Sequence, residues 1–150
     1  GDGSLRSQLT AEAERAGLSD VITFLGWVSP DRIPGIYRDA DVFVLPSLVE
    51  GMPNGVLESM ASGLPAIASS VPGTEELIES GTTGITFPPG DSGRLADALI
   101  QLMSENQTRT KMGSAARKAA LTRGWDRVAE QYVTLYERLL SADEASESGN

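Results

Sequence analysis

Four short apolar runs, separated by stretches of helical periodicity, limit what this chain can fold into. They are "VITFL" (21–25), "DVFVLP" (41–46), "PAIAS" (65–69) and "GITF" (84–87). A strand with one wet face alternates polar and apolar residues. These runs do not, so both of their faces are expected to be covered. Between the runs the pattern turns helical, over about 54–62 and again over about 75–80 with Thr74 as cap. Upstream, Leu5, Leu9, Ala13 and Ala16 fall at helical spacing between Ser4, a capping residue, and Gly17, a stop. Pro34-Gly35 divides "SPDRIPGIYRDA" into a turn and a short helix. From Asp91 onward the pattern is helical, and the last segment, "RVAEQYVTLYERLL", takes Asp126 as its cap. The chain is therefore expected to be α/β, a Rossmann-like parallel sheet of about four strands with helices on both faces. Residues 1–140 are expected to form one domain and 141–150, "SADEASESGN", a disordered acidic tail.

Whole classes of chemistry are excluded by composition. With neither cysteine nor histidine there are no disulfides, no Cys/His metal sites and no His-based catalytic triads. Carboxylates, hydroxyls, backbone amides and a few arginines remain. A net charge of −9 argues against nucleic acid as a partner. No apolar run approaches the roughly 20 residues of a membrane span, and the polar opening "GDGSLRSQLT" is no signal peptide, so a cytoplasmic location is expected. The charge is also uneven. No lysine or arginine lies between Arg38 and Arg94, a stretch that carries eight acids. An anion bound there would need backbone dipoles, or cations from elsewhere.

The segment "EGMPNGVLE", Glu50 to Glu58, follows the second apolar run and opens a helix. In open α/β sheets ligands bind beyond the carboxyl ends of the strands, where this segment falls. A helix starting near Asn54 would present the amides of Gly55, Val56 and Leu57, with the positive end of the dipole behind them, to a phosphate. Gly51 and Gly55 let a ligand approach the backbone closely. Glu58, placed in the first helical turn, could accept hydrogen bonds from a ribose diol, with Glu50 across the loop. Spacing alone fits equally well an acid that stabilises a helix dipole beside an ordinary loop.

Glu50 and Glu58, with seven residues between them, match the E-x7-E motif of retaining GT-B glycosyltransferases of family 4. The similarity continues in order through "VITFLGWV", the stretch from "IYRDADVFVLP" to "GITFPPGD", "LADAL" and "GWDRVAEQYVTLYERLL". The chain thus resembles that family's C-terminal, donor-binding domain. The resemblance implies transfer of a hexose from a nucleoside-diphosphate sugar to an acceptor hydroxyl, with retention and with no metal or other cofactor. Glu50 would be the catalytic residue, facing the sugar. Gly51, Met52, Pro53 and Asn54 would bind sugar hydroxyls through their backbone, Gly55 and Val56 the diphosphate, and Glu58 the ribose. Trp27 and Val28 would contact the base, and Gly73, Thr74 and Glu75 would shape the loop beside the sugar. The resemblance also implies that the N-terminal acceptor-binding domain is missing. So would be the first two strands of the donor domain, with their Arg/Lys pair, leaving 21–25 without its neighbour, 41–46 with an open edge and the chain poorly stable and inactive alone. A nucleotide-sugar epimerase and a non-catalytic binding module stay open as alternatives, as does membrane association of a complete protein.

Three other features are expected to be decoys. Asp39-Ala-Asp41 spells D-x-D but joins a helix end to a buried strand, so its acids should not converge on a metal. Ser47 has no histidine to activate it and no nucleophile-elbow glycines. Trp125 and the stripe Val128, Tyr132, Leu135, Tyr136, Leu139 are expected to serve helix packing.

Overall fold

A strand satisfies its backbone only through neighbours, so the ladder pattern decides which apolar runs become strands. The computed structural model describes residues 2–147, and the side chains of 2–141. The chain divides into two compact units, Gly1–Asp39 and Ala40–Asn150, and each is described by itself.

In the first unit, α1 (Arg6–Arg15) ends where Gly17 takes a positive φ of 69°. Its N-cap is Leu5, not Ser4, and no side chain caps it. The second helix, α2 (Ile33–Asp39), begins after a turn over residues 30–32. The run at 21–25 is not a strand. It makes no ladder with any described residue, and Val21 is 75% exposed. Side chains from the start of the chain hold the segment that follows. Arg6 donates to the Phe24 carbonyl at 3.2 Å, and the Trp27 N–H donates to Asp2 Oδ2 at 2.8 Å. Asp2 is itself paired with Arg6. Gly26, at φ 71°, makes the bend beneath that pair; a Cβ there would meet the Arg6 guanidinium at 2.7 Å.

The second unit carries the sheet. Strands β1 (Phe43–Leu45), β2 (Ala66–Ser69) and β3 (Gly84–Phe87) are parallel, in the order β1-β2-β3. Ala66, Ile67 and Ala68 of β2 pair with Phe43, Val44 and Leu45 on one side, and with Gly84, Ile85 and Thr86 on the other. The sheet is thus one strand shorter than expected, and β1 is an edge. Helices α3 (Asn54–Ala61), α4 (Pro72–Glu75), α5 (Ser92–Ser104), α6 (Asn106–Leu121) and α7 (Trp125–Glu147) complete the unit.

Alternation along the strands sorts the core into two clusters, one per face. Phe43, Leu45, Ala66 and Ala68 pack with Val56 and Met60 of α3 and with Ala116 and Ala120 of α6. Val44, Ile67, Ile85 and Phe87 pack with Ala98 and Leu102 of α5 and with Met112 of α6. Helices therefore cover both faces, as expected of wholly apolar strands. Close approach relies on missing side chains. A Cβ on Gly113 of α6 would stand 2.2 Å from the Gly63 carbonyl oxygen, and one on Gly84 would stand 2.3 Å from that of Ala66.

Several helix ends differ from the sequence pattern. The helix expected over 75–80 is the single turn α4, which starts earlier, and Thr74 lies inside it. Its buried hydroxyl accepts from the Val71 N–H at 3.2 Å and donates to the Ser69 carbonyl, so Thr74 caps from within the turn. Asp91 does cap α5, accepting from the Arg94 N–H at 2.9 Å. Asp126 is a first-turn acid of α7 rather than its cap. That helix runs through 141–147, where a disordered tail was expected, because alanine and glutamate there favour helix and no glycine intervenes before Gly149; residues 148–150 lie outside the described ones. The α7 stripe is not packed as expected: Tyr132, Leu135, Tyr136 and Leu139 are exposed, and so is Trp125. No helix among the described residues is long and apolar enough to cross a membrane.

Two outcomes follow from these contacts. Gly113→Ala forces backbone apart from backbone and should cost about 1–3 kcal/mol, read as a lower urea midpoint by circular dichroism. The Trp27 N–H, and after it Arg6, hold the Asp2 carboxyl below the usual carboxylate value. A lowered folded-state pKa gives stability that is present above the unfolded value and lost as pH falls through the folded one. The protection factor of the Trp27 amide in hydrogen exchange should therefore fall on acidification below about pH 4, and Asp2→Ala should abolish it at neutral pH. A protection factor indifferent to both changes would contradict the role given to Asp2.

Candidate functional site

Parallel strands deliver their following loops to one edge of the sheet, and here the loops after β1 and β2 meet. The first runs over 46–53 into α3, and the second over 70–71 into α4. A Cβ on Gly73 would stand 2.1 Å from the Gly51 carbonyl oxygen and 2.8 Å from that of Glu50. Only a glycine fits there, so the start of α4 rests directly on the backbone of the Glu50–Gly51 turn. This places Gly73 and Thr74 beside the quoted segment. The Glu75 carboxylate is hydrogen-bonded by the Ser70 hydroxyl, which ties its loop on itself.

Glu50 is half-buried, and its carboxylate Oε1 accepts the Ser47 hydroxyl at 2.7 Å. Ser69, wholly buried at the end of β2, donates to the carbonyl of Ser47 and, at 3.4 Å, approaches that of Leu45. Neither serine was singled out as functional from the sequence. Ser47 was weighed only as a nucleophile; a hydroxyl three residues before an acid was the signal that could have found it.

Helix α3 begins at Asn54 after Pro53, whose extended backbone turns the loop into the helix. Proline suits that junction because it has no N–H to leave unsatisfied. The first N–H groups of a helix have no partner within it. Val56 is an exception here, since its N–H donates to the Pro53 carbonyl at 3.0 Å. Of the two amides expected to take a diphosphate, that of Gly55 is the better placed. The first turn of α3 holds no acid. Glu58 lies just beyond it, exposed, and not in the first turn as expected. The dipole's effect fades within that first turn, so simple dipole stabilisation is a weaker account of Glu58 than spacing suggested.

Met52, exposed like Gly51, borders a cavity of about 390 Å³ with Leu57, Leu77, Trp125 and Val128; Glu50 is not among its lining residues. Trp27 and Val28 belong to the first unit. The Trp27 side chain is exposed, while the Trp27 backbone N–H is already spent on Asp2. Asp41 lies 3.3 Å from Arg109, and among the described residues no group of three or more acids is placed to hold a metal ion.

Comparison with known proteins agrees with this arrangement. The profile of the family described as "Glycosyl transferases group 1" matches residues 1–119. The chain is 34% identical over 140 residues to a D-inositol 3-phosphate glycosyltransferase of Corynebacterium urealyticum, covering 93% of this chain and 33% of that protein. Among solved structures, sucrose-phosphate synthase from Thermosynechococcus elongatus superposes with a TM-score of 0.83 at 29% identity, covering 93% of this chain and 35% of the other. HepE of Anabaena, in complex with UDP-glucose, superposes with a TM-score of 0.76 at 27% identity, covering 90% and 36%. The chain spans about a third of the length of these proteins. Parallel α/β architecture, the paired strand-end loops and the family profile lead to one conclusion: this chain belongs to the group 1 glycosyl transferases, with the fold of a GT-B C-terminal-type domain.

Proposed function

We propose that the chain is the donor-binding part of a retaining, metal-independent hexosyltransferase of the E-x7-E type. The observation that carries this is the seating of the Glu50–Gly51 turn. It lies at the carboxyl end of β1, is braced by Gly73, and leads straight into the N-terminus of α3. The donor would be a nucleoside-diphosphate sugar, the class of ligand seen bound in the Anabaena relative.

In this proposal the diphosphate sits on the first amides of α3, with Gly55 foremost, and Glu58 accepts the ribose hydroxyls. The backbone from Gly51 to Asn54 and the Glu50 carboxylate meet the sugar. Transfer breaks the bond between the anomeric carbon and the diphosphate oxygen, and the electron pair leaves with the diphosphate. The acceptor oxygen bonds to the same carbon, and its proton passes to the departing diphosphate oxygen. Positive charge grows on the sugar and negative charge on the leaving group. A fixed carboxylate and fixed N–H dipoles oppose those two changes without having to reorganise. The stretch without cations fits this division, because dipoles there do what side-chain charge does not. Since the chain spans a third of its relatives, transfer would also require an acceptor-binding part, and the chain alone should be inactive.

Titration with UDP, followed by NMR, tests the assignment. Glu58→Ala should weaken UDP binding by roughly tenfold through loss of hydrogen bonds to a charged acceptor. Unchanged affinity would remove the ribose assignment. Glu50→Gln should behave differently. With the chain joined to an acceptor-binding half, it should lower turnover far more than it lowers UDP affinity, because its partner is the sugar. Equal losses would make Glu50 a general binding or folding residue.

A further inference from the structure

We infer that Ser47 is a positioning residue for Glu50, itself anchored through Ser69 to the end of β2. The inference rests on the assignment of Glu50 to the sugar. A carboxylate can only accept, so the 2.7 Å contact between Ser47 Oγ and Glu50 Oε1 is a hydroxyl donating to a charged acceptor, which is among the stronger hydrogen bonds a protein makes. Ser47 is held in turn. The Ser69 hydroxyl is wholly buried and donates to the Ser47 carbonyl, tying the loop to the most enclosed strand of the sheet. At the other end of the same loop the Glu50 carbonyl rests on Gly73. Glu50 is thus fixed through both its backbone and its side chain.

This arrangement uses one carboxylate oxygen and leaves the other. Among the described residues, Oε2 of Glu50 has no hydrogen-bond partner. A half-buried acid with one oxygen clamped and one open is prepared to accept a hydroxyl from a ligand. Without Ser47 the side chain would sample other rotamers, and binding a sugar would have to order it again. Nucleophilic attack by Ser47 is not part of this role. Its hydroxyl serves as the hydrogen-bond donor to Glu50.

The test is a set of titrations with UDP and UDP-glucose at millimolar concentration, using the full chain. Ser47→Ala should weaken UDP-glucose by roughly five- to tenfold and leave UDP unchanged. Ser47→Thr, which keeps the hydroxyl, should restore the difference. In a Glu50→Ala background, Ser47→Ala should add nothing, since its effect passes through the carboxylate. The inference is overturned if Ser47→Ala matches the unaltered chain, weakens both ligands alike, or still acts when Glu50 is gone. If Glu50→Ala itself leaves the preference for UDP-glucose over UDP untouched, the sugar assignment fails first and Ser47 has nothing to position. Absence of UDP-glucose binding to the unaltered chain overturns both.

Discussion

Strand β2 is the element on which everything else in the second unit depends. It is hydrogen-bonded along both edges, and all four of its residues are buried. A strand so enclosed cannot carry charge or bulk toward a helix that must come close, and its sequence, Ala66-Ile67-Ala68-Ser69, obeys this. The alanines admit α3 and α6 on one face, and the larger Ile67 fills the other against α5. Ser69 is the single polar residue, and it stands at the carboxyl end where the loops need a hydrogen-bond donor. The same enclosure that builds the core therefore sets the position of the site.

Much of this was legible from residue order alone. Wholly apolar runs marked covered strands, and alternation with helical periods marked a parallel sheet; 43–45, 66–69 and 84–87 formed as expected. The run at 21–25 did not, because periodicity reports burial preference and not whether a pairing edge is present. Its C-terminal side is held instead by Arg6 at Phe24 and by Asp2 at Trp27, polar contacts for which no pattern exists in the sequence. The stripe on α7 misled for a related reason. An apolar face predicts that a helix wants cover, and says nothing of what supplies it.

Within the candidate site, the residues proposed to meet a ligand were legible, and much of what supports them was not. Glu50, Gly55 and Glu58 stand out through spacing and type. Ser69 acts through a contact spanning 22 residues, and the overlap of Gly73 with the Glu50–Gly51 backbone is likewise revealed only by the folded chain, whereas Ser47 lies just three residues before the acid it meets. Helix α3 starts at Asn54 as expected, yet Glu58 is its fifth residue, one past the first turn in which it was placed and where the dipole is felt.

Both tryptophans, Trp27 and Trp125, are more than two-thirds exposed, at 72% and 84%. An indole that is wet in the native state changes its surroundings little when the chain unfolds. Intrinsic fluorescence should thus be nearly silent on loss of the sheet, although the core melts. The same exposure makes each indole an undisturbed optical probe of its own unit: Trp27 for the segment tied by Asp2, Trp125 for the start of α7. Quenching of either by an added ligand would report contact at that place, free of any signal from the buried core.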